Sequence, residues 1–203
     1  MSAPQQTDFH PNGQIKETYF LEHGKLEGES VAYTPTGVLL HRAVFQDGVL
    51  NGVATLYDED GAVAQVSAFK DGAQEGDTSL YTHGKLRGLL RYKSGKQEGE
   101  TLLYDEAGRV TTKSMFKNGA LNGESIAFDK TGRIFRRSMY ENGILNGPMV
   151  EYYPSGKMQE VAHYKADKLH GEFLKYDEDG GLIQRLCFRE GKPVACPPTA
   201  MRR

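Results

Sequence analysis

The chain has 203 residues, a formal net charge of −2, 38% hydrophobic residues and 26% charged residues. A charge this close to zero does not predict general binding to DNA or RNA, whose phosphates attract strongly basic chains. The apolar runs are too short to span a bilayer, and residues 1–7 lack the apolar core of a signal peptide. Glycine is the anomaly, because its 24 copies make up about 12% of the chain against an average near 7%.

A polar N-terminal extension of residues 1–8 precedes tandem repeats of about 24 residues, which run from residue 9 to residue 191. Repetition at such a period is the signature of a repeat architecture. The unit is one residue short in its fourth copy, and Asp167 and Ala195 each replace a glycine. Three glycine columns define the unit: Gly13, Gly37, Gly61, Gly84, Gly108, Gly132, Gly156 and Gly180; Gly24, Gly48, Gly72, Gly95, Gly119, Gly143 and Gly191; and Gly28, Gly52, Gly76, Gly99, Gly123, Gly147 and Gly171.

Aromatic residues keep the same period. One set lies before the first-column glycines: Phe9, Tyr33, Tyr57, Tyr81, Tyr104, Phe128, Tyr152 and Tyr176. A second set lies eight residues after the same glycines: Phe45, Phe69, Tyr92, Phe116, Tyr140, Tyr164 and Phe188, with Leu21 in the first copy. Between them an apolar residue, a small residue and an aromatic recur at i, i+4 and i+6, as in Ile134, Ser138 and Tyr140. This alternation predicts β-strands, and glycine at this frequency disfavours helices.

The turn sequences complete the prediction of the fold. Asp-Glu-Ala-Gly and Asn-Gly are typical of tight turns, in which glycine adopts a positive φ. We therefore expect an all-β fold, an elongated single-domain array of about eight antiparallel β-hairpins that forms a meander sheet. At ~4.8 Å between strands, sixteen strands would extend over ~75 Å. Stability should come from stacking between neighbouring units.

Residues 192–203 leave the pattern and are predicted to form a Pro-rich C-terminal tail. Pro197 and Pro198 cannot extend a central strand. Cys187 and Cys196 are the only cysteines. Two interpretations stay open: a disulfide that ties the tail to the last strand, which implies an oxidising compartment, or two reduced thiols.

Two segments carry a resemblance to a known family. Phe-Lys-Asn-Gly-Ala-Leu-Asn-Gly-Glu from Phe116 and Tyr-Glu-Asn-Gly-Ile-Leu-Asn-Gly-Pro from Tyr140 resemble the MORN repeat, in the variant form found in bacterial proteins. The resemblance covers about residues 9–191 and implies the hairpin fold. Bacterial chains built only of such repeats resemble a family labelled antitoxins, and some similar proteins are immunity proteins for secreted toxins, including type VI secretion effectors.

The sequence contains no recognisable catalytic set. Its six histidines have no metal-ligand spacing with cysteine or with one another, and no nucleophile elbow or phosphate-binding loop is present. We therefore expect no catalytic residues, no metal and no cofactor, and do not expect an enzyme. The acidic turns, such as residues 58–60 and 177–179, are interpreted either as ordinary turn chemistry or as an edge that steers a basic partner.

Exposed aromatic residues and a polar rim form the predicted partner-binding site. Exposed aromatic residues are frequent anchors of protein interfaces. By strand parity, several aromatic and apolar residues point away from the aromatic columns, and basic residues share their face. The alternative is that these residues belong to a second packed face. The predicted partner-binding residues are Phe20, Leu40, Arg42, Lys113, Phe135, Arg137, Met139, Tyr153, His163 and Phe173.

The expected function is that of a non-catalytic repeat protein that binds and blocks a cognate protein toxin or effector. Nucleic acid is not an expected partner, and the net charge argues against a membrane. The alternative is a membrane-surface or scaffold protein that binds lipid headgroups, because MORN-type repeats have also been linked to lipids. The expected compartment is the periplasm, with the cytoplasm as the alternative.

Overall fold

The computed structural model describes residues 4–198, which form 19 β-strands and no helix. The strands divide between two compact units, and the boundary follows Gly108. Within each unit, strands that follow one another along the chain pair antiparallel. The predicted all-β meander of hairpins is therefore confirmed.

Unit 1 contains eleven strands. Residues 5–8, which the sequence assigned to a polar extension, belong to its first strand and pair with the second. The strands are β1 Gln5–Phe9, β2 Ile15–Glu22, β3 Lys25–Leu26, β4 Gly28–Tyr33, β5 Leu39–Gln46, β6 Val49–Tyr57, β7 Val63–Lys70, β8 Ala73–Thr82, β9 Lys85–Lys93, β10 Lys96–Gln97 and β11 Gly99–Tyr104.

Unit 2 contains eight strands. Its last strand lies within the segment that the sequence assigned to a tail. The strands are β12 Val110–Lys117, β13 Ala120–Phe128, β14 Ile134–Glu141, β15 Ile144–Tyr152, β16 Met158–Lys165, β17 Lys168–Tyr176, β18 Leu182–Arg189 and β19 Lys192–Val194.

The second-column glycines form two-residue hairpin turns. Asn118 and Gly119 have φ angles of 53° and 86°, and Asn142 and Gly143 have φ angles of 51° and 84°. Two successive positive φ angles define the type I′ turn, whose twist matches the twist of the flanking strands. His83 and Gly84 also have positive φ. The missing residue of the fourth repeat therefore converts a longer first-column turn into a two-residue turn.

Side chains that accept hydrogen bonds organise the longer first-column turns. Asp58 Oδ1 accepts from the amides of Asp60 and Ala62 at 3.1 and 2.8 Å. Asp129 and Asp177 make the same contacts in their own turns. The carboxylates that open these turns thus satisfy backbone donors, which supports the interpretation as ordinary turn chemistry.

Asp167 replaces a second-column glycine without loss of the local hydrogen bonds. Its amide donates to Leu145 O at 3.1 Å, as the amide of Gly143 donates to Leu121 O at 2.7 Å. Its Oδ1 also accepts from the amide of Leu145 at 2.8 Å. Asp167 has a φ of 62°, a conformation that aspartate tolerates better than most residues do.

The two faces of each unit differ in composition. On β14, Ser138 and Tyr140 lie opposite Ser125 and Gly123, while Met139 lies opposite Glu124. Small residues next to the second aromatic set are the most buried, as Ser67, Ser138 and Ala162 are only 2%, 5% and 0% exposed. We call this side the aromatic face, and it contains Phe45, Phe69, Phe116, Tyr140 and Tyr164. The other side, with Val44, Met115, Met139 and His163, is the opposite face.

Bulges interrupt the predicted alternation. Ile134 and Arg136 pair with neighbouring residues of β13, Phe128 and Ala127, and Phe135 is the extra residue between them. Because neighbouring strand residues point to opposite sides, Ile134 does not share the aromatic face with Ser138. The predicted pattern at i, i+4 and i+6 is therefore wrong at its first position. The prediction holds only for a regular strand, and bulges have no clear sequence signal.

The third-column glycines allow a close approach of two strands. Gly147 has a φ of 126°, and a Cβ atom built on it would lie 3.0 Å from Met139 Cβ. Gly52 repeats this geometry against Val44, also at 3.0 Å. Glycine is needed at these positions for both its φ and its lack of a side chain.

The C-terminal end is closed by a short strand and a disulfide. β19 pairs with β18 through Cys187 and Val194, and Cys187 is bonded to Cys196 with a Cα–Cα distance of 5.1 Å. Of the two interpretations of the cysteines, the structure has the disulfide. Residues 199–203 of the predicted tail and residues 1–3 of the predicted extension lie outside the described residues.

Candidate functional site

The opposite face of unit 2 carries a row of aliphatic side chains. The strand register places one residue from each of seven neighbouring strands in this row. Directly opposed residues share a face and lie close enough to pack against one another. The row reads Lys113, Ile126, Arg137, Val150, Val161, Leu174 and Arg185.

Ion pairs lie at both ends of the longest aliphatic run. Arg137 Nη1 donates to Glu124 Oε1 at 2.9 Å, and Arg185 Nε donates to Glu172 Oε1 at 2.9 Å. The Arg137 and Glu124 side chains are 41% and 38% exposed. Exposed pairs of this kind contribute little to stability, about 0–1 kcal/mol each. Their effect is to orient charged groups around the apolar residues.

Apolar side chains beside the row extend this surface. Met139 lies opposite Glu124 and is 38% exposed. Pro148 lies opposite His163, and both residues are exposed. An apolar centre with a polar rim is the usual anatomy of a protein interface. We define the candidate surface as Lys113, Glu124, Ile126, Arg137, Met139, Pro148, Val150, Val161, His163 and Leu174.

Four predicted site residues of unit 2 lie together on the candidate surface. Lys113 and Arg137 flank Ile126, each as its direct cross-strand neighbour. Met139 follows Arg137 on the same face, and His163 lies two strands further on. His163 Nδ1 is 3.2 Å from Glu172 O. The register therefore places these four residues as strand parity predicted, while their role in binding stays a prediction.

The predicted residues of unit 1 lie on its own sheet. Arg42 lies opposite Val31, which in turn lies opposite Thr18. Phe20 shares the face of Thr18 by the regular register with β1, and it is half-buried. Arg42 Nε lies 3.4 Å from Glu29 Oε1. Phe20 and Arg42 thus lie on the opposite face of unit 1.

Leu40 and Phe135 occupy equivalent bulges. Each is the extra residue between two ladder pairs, and they are 43% and 40% exposed. The guanidinium carbon of Arg136 lies 5.7 Å from the centroid of the Phe135 ring, within the range of a cation–π contact. A bulge re-aims side chains, so strand alternation alone does not fix the direction of these two residues.

The predicted position of Phe173 is wrong. Phe173 lies opposite the buried Ala162, and its ring contacts Phe188 edge-on with centroids 6.4 Å apart. It therefore packs on the aromatic face, with the second aromatic set. Its pairing with Ala162 and Leu186 fixes this direction, against the one that strand parity predicted.

Tyr153 is a turn residue and not an outward strand residue. Its amide donates to Lys157 O at 2.9 Å, and its hydroxyl donates to Tyr176 O at 2.8 Å. His10 makes the corresponding contact to Tyr33 O at 2.9 Å in unit 1. Tyr153 thus links its turn to the next repeat of unit 2, and its half-buried ring is not a free anchor.

The sequence interpretation missed the aliphatic members of the candidate surface. Ile126, Val150, Val161 and Leu174 are all half-buried strand residues. Half-buried aliphatic residues carry no sequence signal of an interface, unlike exposed aromatic residues. Parity along β13, β15 and β17, counted forward from the third-column glycines, would have placed Ile126, Val150 and Leu174 on this face.

Two carboxylates oppose each other on the aromatic face of unit 2. Glu151 lies directly opposite Glu160, and Glu160 also lies opposite Lys175. Burial and the neighbouring Glu151 raise the pKa of Glu160, and Lys175 partly offsets them. Burial, with these two carboxylates, also raises the pKa of Tyr164. Within residues 4–198, no group of three or more His, Cys, Asp or Glu side chains could hold a metal ion.

The two units also carry different charge. Residues 1–108 contain 9 Lys and Arg against 16 Asp and Glu, whereas residues 109–203 contain 16 against 11. No helix in the part of the chain that the structure describes is long and apolar enough to cross a membrane.

A family model supports the repeat assignment. The MORN repeat variant model matches residues 145–166 and 169–190, which are the repeats of β15–β16 and β17–β18. The chain therefore contains MORN-variant repeats, and this match supports a MORN-repeat protein. No curated protein matches the chain.

Similar solved structures share little detail with the chain. Structures of TcdB2-TccC3-Cdc42 and TcdB2-TccC3-TEV are each 13% identical over 93% of this chain, with TM-scores of 0.26. The chain spans only 12% and 13% of the length of those two chains. CbpJ from Streptococcus pneumoniae TIGR4 is 11% identical, with 88% of this chain and 94% of that chain covered and a TM-score of 0.14.

Proposed function

We propose that this chain is a non-catalytic protein-binding protein, an antitoxin or immunity protein that binds and blocks a cognate secreted bacterial toxin. The observation that carries the proposal is the candidate surface, in which an aliphatic row lies between oriented ion pairs. The MORN-variant repeats support a binding or scaffold role. Type VI secretion effectors are one class of toxin that would fit.

The size of the surface suits an inhibitor. The row from Lys113 to Arg185 crosses seven strands, which at ~4.8 Å per strand gives ~29 Å. Strands of eight residues extend over ~26 Å, so the face measures ~750 Å². Standard interfaces bury about 800 Å² per partner. A toxin bound across this face would have its substrate access blocked by occlusion, without any chemistry from the inhibitor.

The proposed compartment is the periplasm. The disulfide between Cys187 and Cys196 supports it, because disulfides persist in oxidising compartments and are rare in the cytosol of most organisms. An immunity protein for a toxin that acts in the cytoplasm would need no disulfide, and the cytoplasm is the alternative location.

Co-expression with the product of the adjacent gene tests the proposal. Wild-type chain should restore growth to cells that express a toxic neighbour, and it should co-purify with that neighbour. Met139→Asp places a charge on the candidate surface and should abolish protection. Thr112→Asp is the matched control, since Thr112 lies on the aromatic face of the same unit. A neighbour that is neither bound nor neutralised by wild-type chain would refute the proposal.

A second candidate function is binding to lipid headgroups at a membrane surface. The basic excess of residues 109–203 favours it, because anionic leaflets attract clusters of Lys and Arg. Co-sedimentation with vesicles that contain phosphatidylserine separates the two functions. Binding that needs these vesicles and is lost at high salt would favour the membrane, whereas an immunity protein should stay in the supernatant.

A further inference from the structure

An open cavity of about 570 Å³ lies beside the candidate surface in unit 2. Arg137, which belongs to the candidate surface, forms part of its wall. Arg133 and the hydroxyl-bearing Tyr152 and Ser155 form much of the rest, with Ile134, Pro154 and Gly156. No acidic side chain lines this cavity. Its walls therefore offer hydrogen-bond donors and positive charge without an internal counter-charge.

The two guanidinium groups keep donors for a ligand. Arg133 donates from Nε to Thr131 Oγ1 at 2.8 Å and from Nη1 to the carbonyl oxygen of Pro154. Arg137 donates from Nη1 to Glu124 Oε1. A guanidinium has five N–H donors, so among the described residues Arg133 retains three and Arg137 retains four. The existing bonds hold both groups in place, which lowers the entropy lost on binding.

Unit 1 contains the equivalent cavity with a carboxylate of its own. Lys85, Tyr104 and Gly108 stand at the repeat positions of Arg133, Tyr152 and Gly156, and they line a cavity of about 480 Å³. Lys85 Nζ donates to Glu106 O at 3.1 Å, as Arg133 donates to Pro154 O. Glu106 also lines this cavity, and its Oε1 lies 3.4 Å from Arg87 Nη2.

The carboxylate that distinguishes the unit 1 cavity stands at one repeat position. This position lies two residues before the first-column glycine. The unit 1 cavity has Glu106 there, and the unit 2 cavity has Pro154. Glu59 and Glu178 occupy the same position in two other repeats, so the turn accepts glutamate. The cavity of unit 2 therefore has the cationic wall of this arrangement and lacks its carboxylate.

We propose that the cavity of Arg133, Arg137, Tyr152 and Ser155 binds a carboxylate of the partner protein, an Asp or Glu side chain or a chain terminus. The basic balance of residues 109–203 attracts an acidic partner surface. Guanidinium groups recognise carboxylates through paired, charge-assisted hydrogen bonds. The inference rests on the proposed function for the identity of the partner, and the carboxylate site itself can be measured without that partner.

The test uses two capped tripeptides as probes, acetyl-Leu-Glu-Leu amide and its Gln counterpart. Nuclear magnetic resonance follows the side-chain Nε–H signals of Arg133 and Arg137 and the amide of Gly156 in the full chain. The Glu peptide should shift these signals saturably, and the Gln peptide should not. Arg133→Gln should weaken binding by about tenfold or more, the expected loss for a charged hydrogen bond.

Substitution at the position of Pro154 and Glu106 is the sharper test. Pro154→Glu supplies the cavity with its own carboxylate and should also weaken the Glu peptide about tenfold. Glu106→Gln in unit 1 should create new binding beside Lys85. Arg136→Gln is the matched control, because Arg136 contacts Phe135 and does not line the cavity. Unchanged amide signals of unit 2 away from the cavity report that each unit 2 variant is folded.

Three results with the small probes and the vesicles would overturn the inference. They are equal binding of the Gln peptide, unchanged affinity in both Arg133→Gln and Pro154→Glu, and a response only to inorganic phosphate or to phosphatidylserine vesicles. The proposed function fails separately. A toxin that is neutralised equally well by wild type and by Arg133→Gln refutes the carboxylate site alone, whereas a neighbour that never binds refutes the inhibitor role and leaves the peptide result standing.

Discussion

Replacement of Gly147 by alanine should destabilise unit 2 more than any replacement of a turn glycine. The backbone at Gly147 has a φ of 126°, far from the region that residues with a Cβ atom adopt. A new Cβ would also lie 3.0 Å from Met139 Cβ, and both are atoms close to the backbone that cannot rotate away. Backbone strain of this kind costs about 1–3 kcal/mol, and the steric overlap adds to it. We expect a total of about 2–4 kcal/mol.

Gly156→Ala is the matched control. Gly156 has a φ of 84°, and nothing lies within 4 Å of a Cβ built there. This variant therefore carries only the cost of a left-handed conformation, about 1–2 kcal/mol. The difference between the two variants contains the contact with Met139 and the added strain of the wider φ at Gly147. Met139→Gly removes that contact, so it should recover part of the loss when it is combined with Gly147→Ala.

Urea unfolding of the three variants measures these differences, and hydrogen exchange of the amides in β14 and β15 checks that the effect is local. Local readout is needed because repeat proteins do not always unfold in one step. A Gly147→Ala variant that loses no more stability than Gly156→Ala would refute the argument that close strand approach selects glycine here.

Three further variants test other features of the fold. Asp167→Ala should lose more stability in urea than Asp167→Gly, because alanine keeps the strained φ of 62° and loses the hydrogen bond to the Leu145 amide. Cys187→Ala, or reduction of its bond to Cys196, should cost about 2–3 kcal/mol from the small closed loop, with faster amide exchange confined to β18 and β19. Burial and a facing carboxylate raise the pKa of Glu160, so its folded-state pKa exceeds the unfolded value and stability falls as pH rises between the two. At pH values well above 4.5, Glu160→Gln should therefore unfold at a higher urea concentration than wild type. At pH values well below 4.5, the two midpoints should be equal.

The fold was predictable because glycine spacing records the turns and the second aromatic set marks the aromatic face. Asn118 and Gly119 are typical of a type I′ turn, and the structure has both in positive φ. Ser138 and Tyr140 share a face as the alternation predicts. Even the shortened fourth unit could be recognised, although its effect on turn length at Gly84 needed coordinates.

The candidate site was predictable only in part, because bulges change the direction of side chains without a clear mark in the sequence. Lys113, Arg137, Met139 and His163 lie on the candidate surface, where strand parity put them. Phe173 does not, because it pairs directly with Ala162 and packs against Phe188 on the aromatic face. The carboxylate-binding cavity depends on one turn residue in a repeat, and it becomes visible only when equivalent cavities are compared.

Methionine methyl resonances test the central claim most directly, since they report on both faces of unit 2. Met115 and Met139 are exposed on the opposite face, each beside a third-column glycine, whereas Met149 lies on the aromatic face between Ser138 and Ala162. In a complex with the toxin, we expect the signals of Met115 and Met139 to shift and that of Met149 to stay in place. A complex in which Met149 shifts and the other two do not would show that the partner binds the aromatic face, and it would contradict the account.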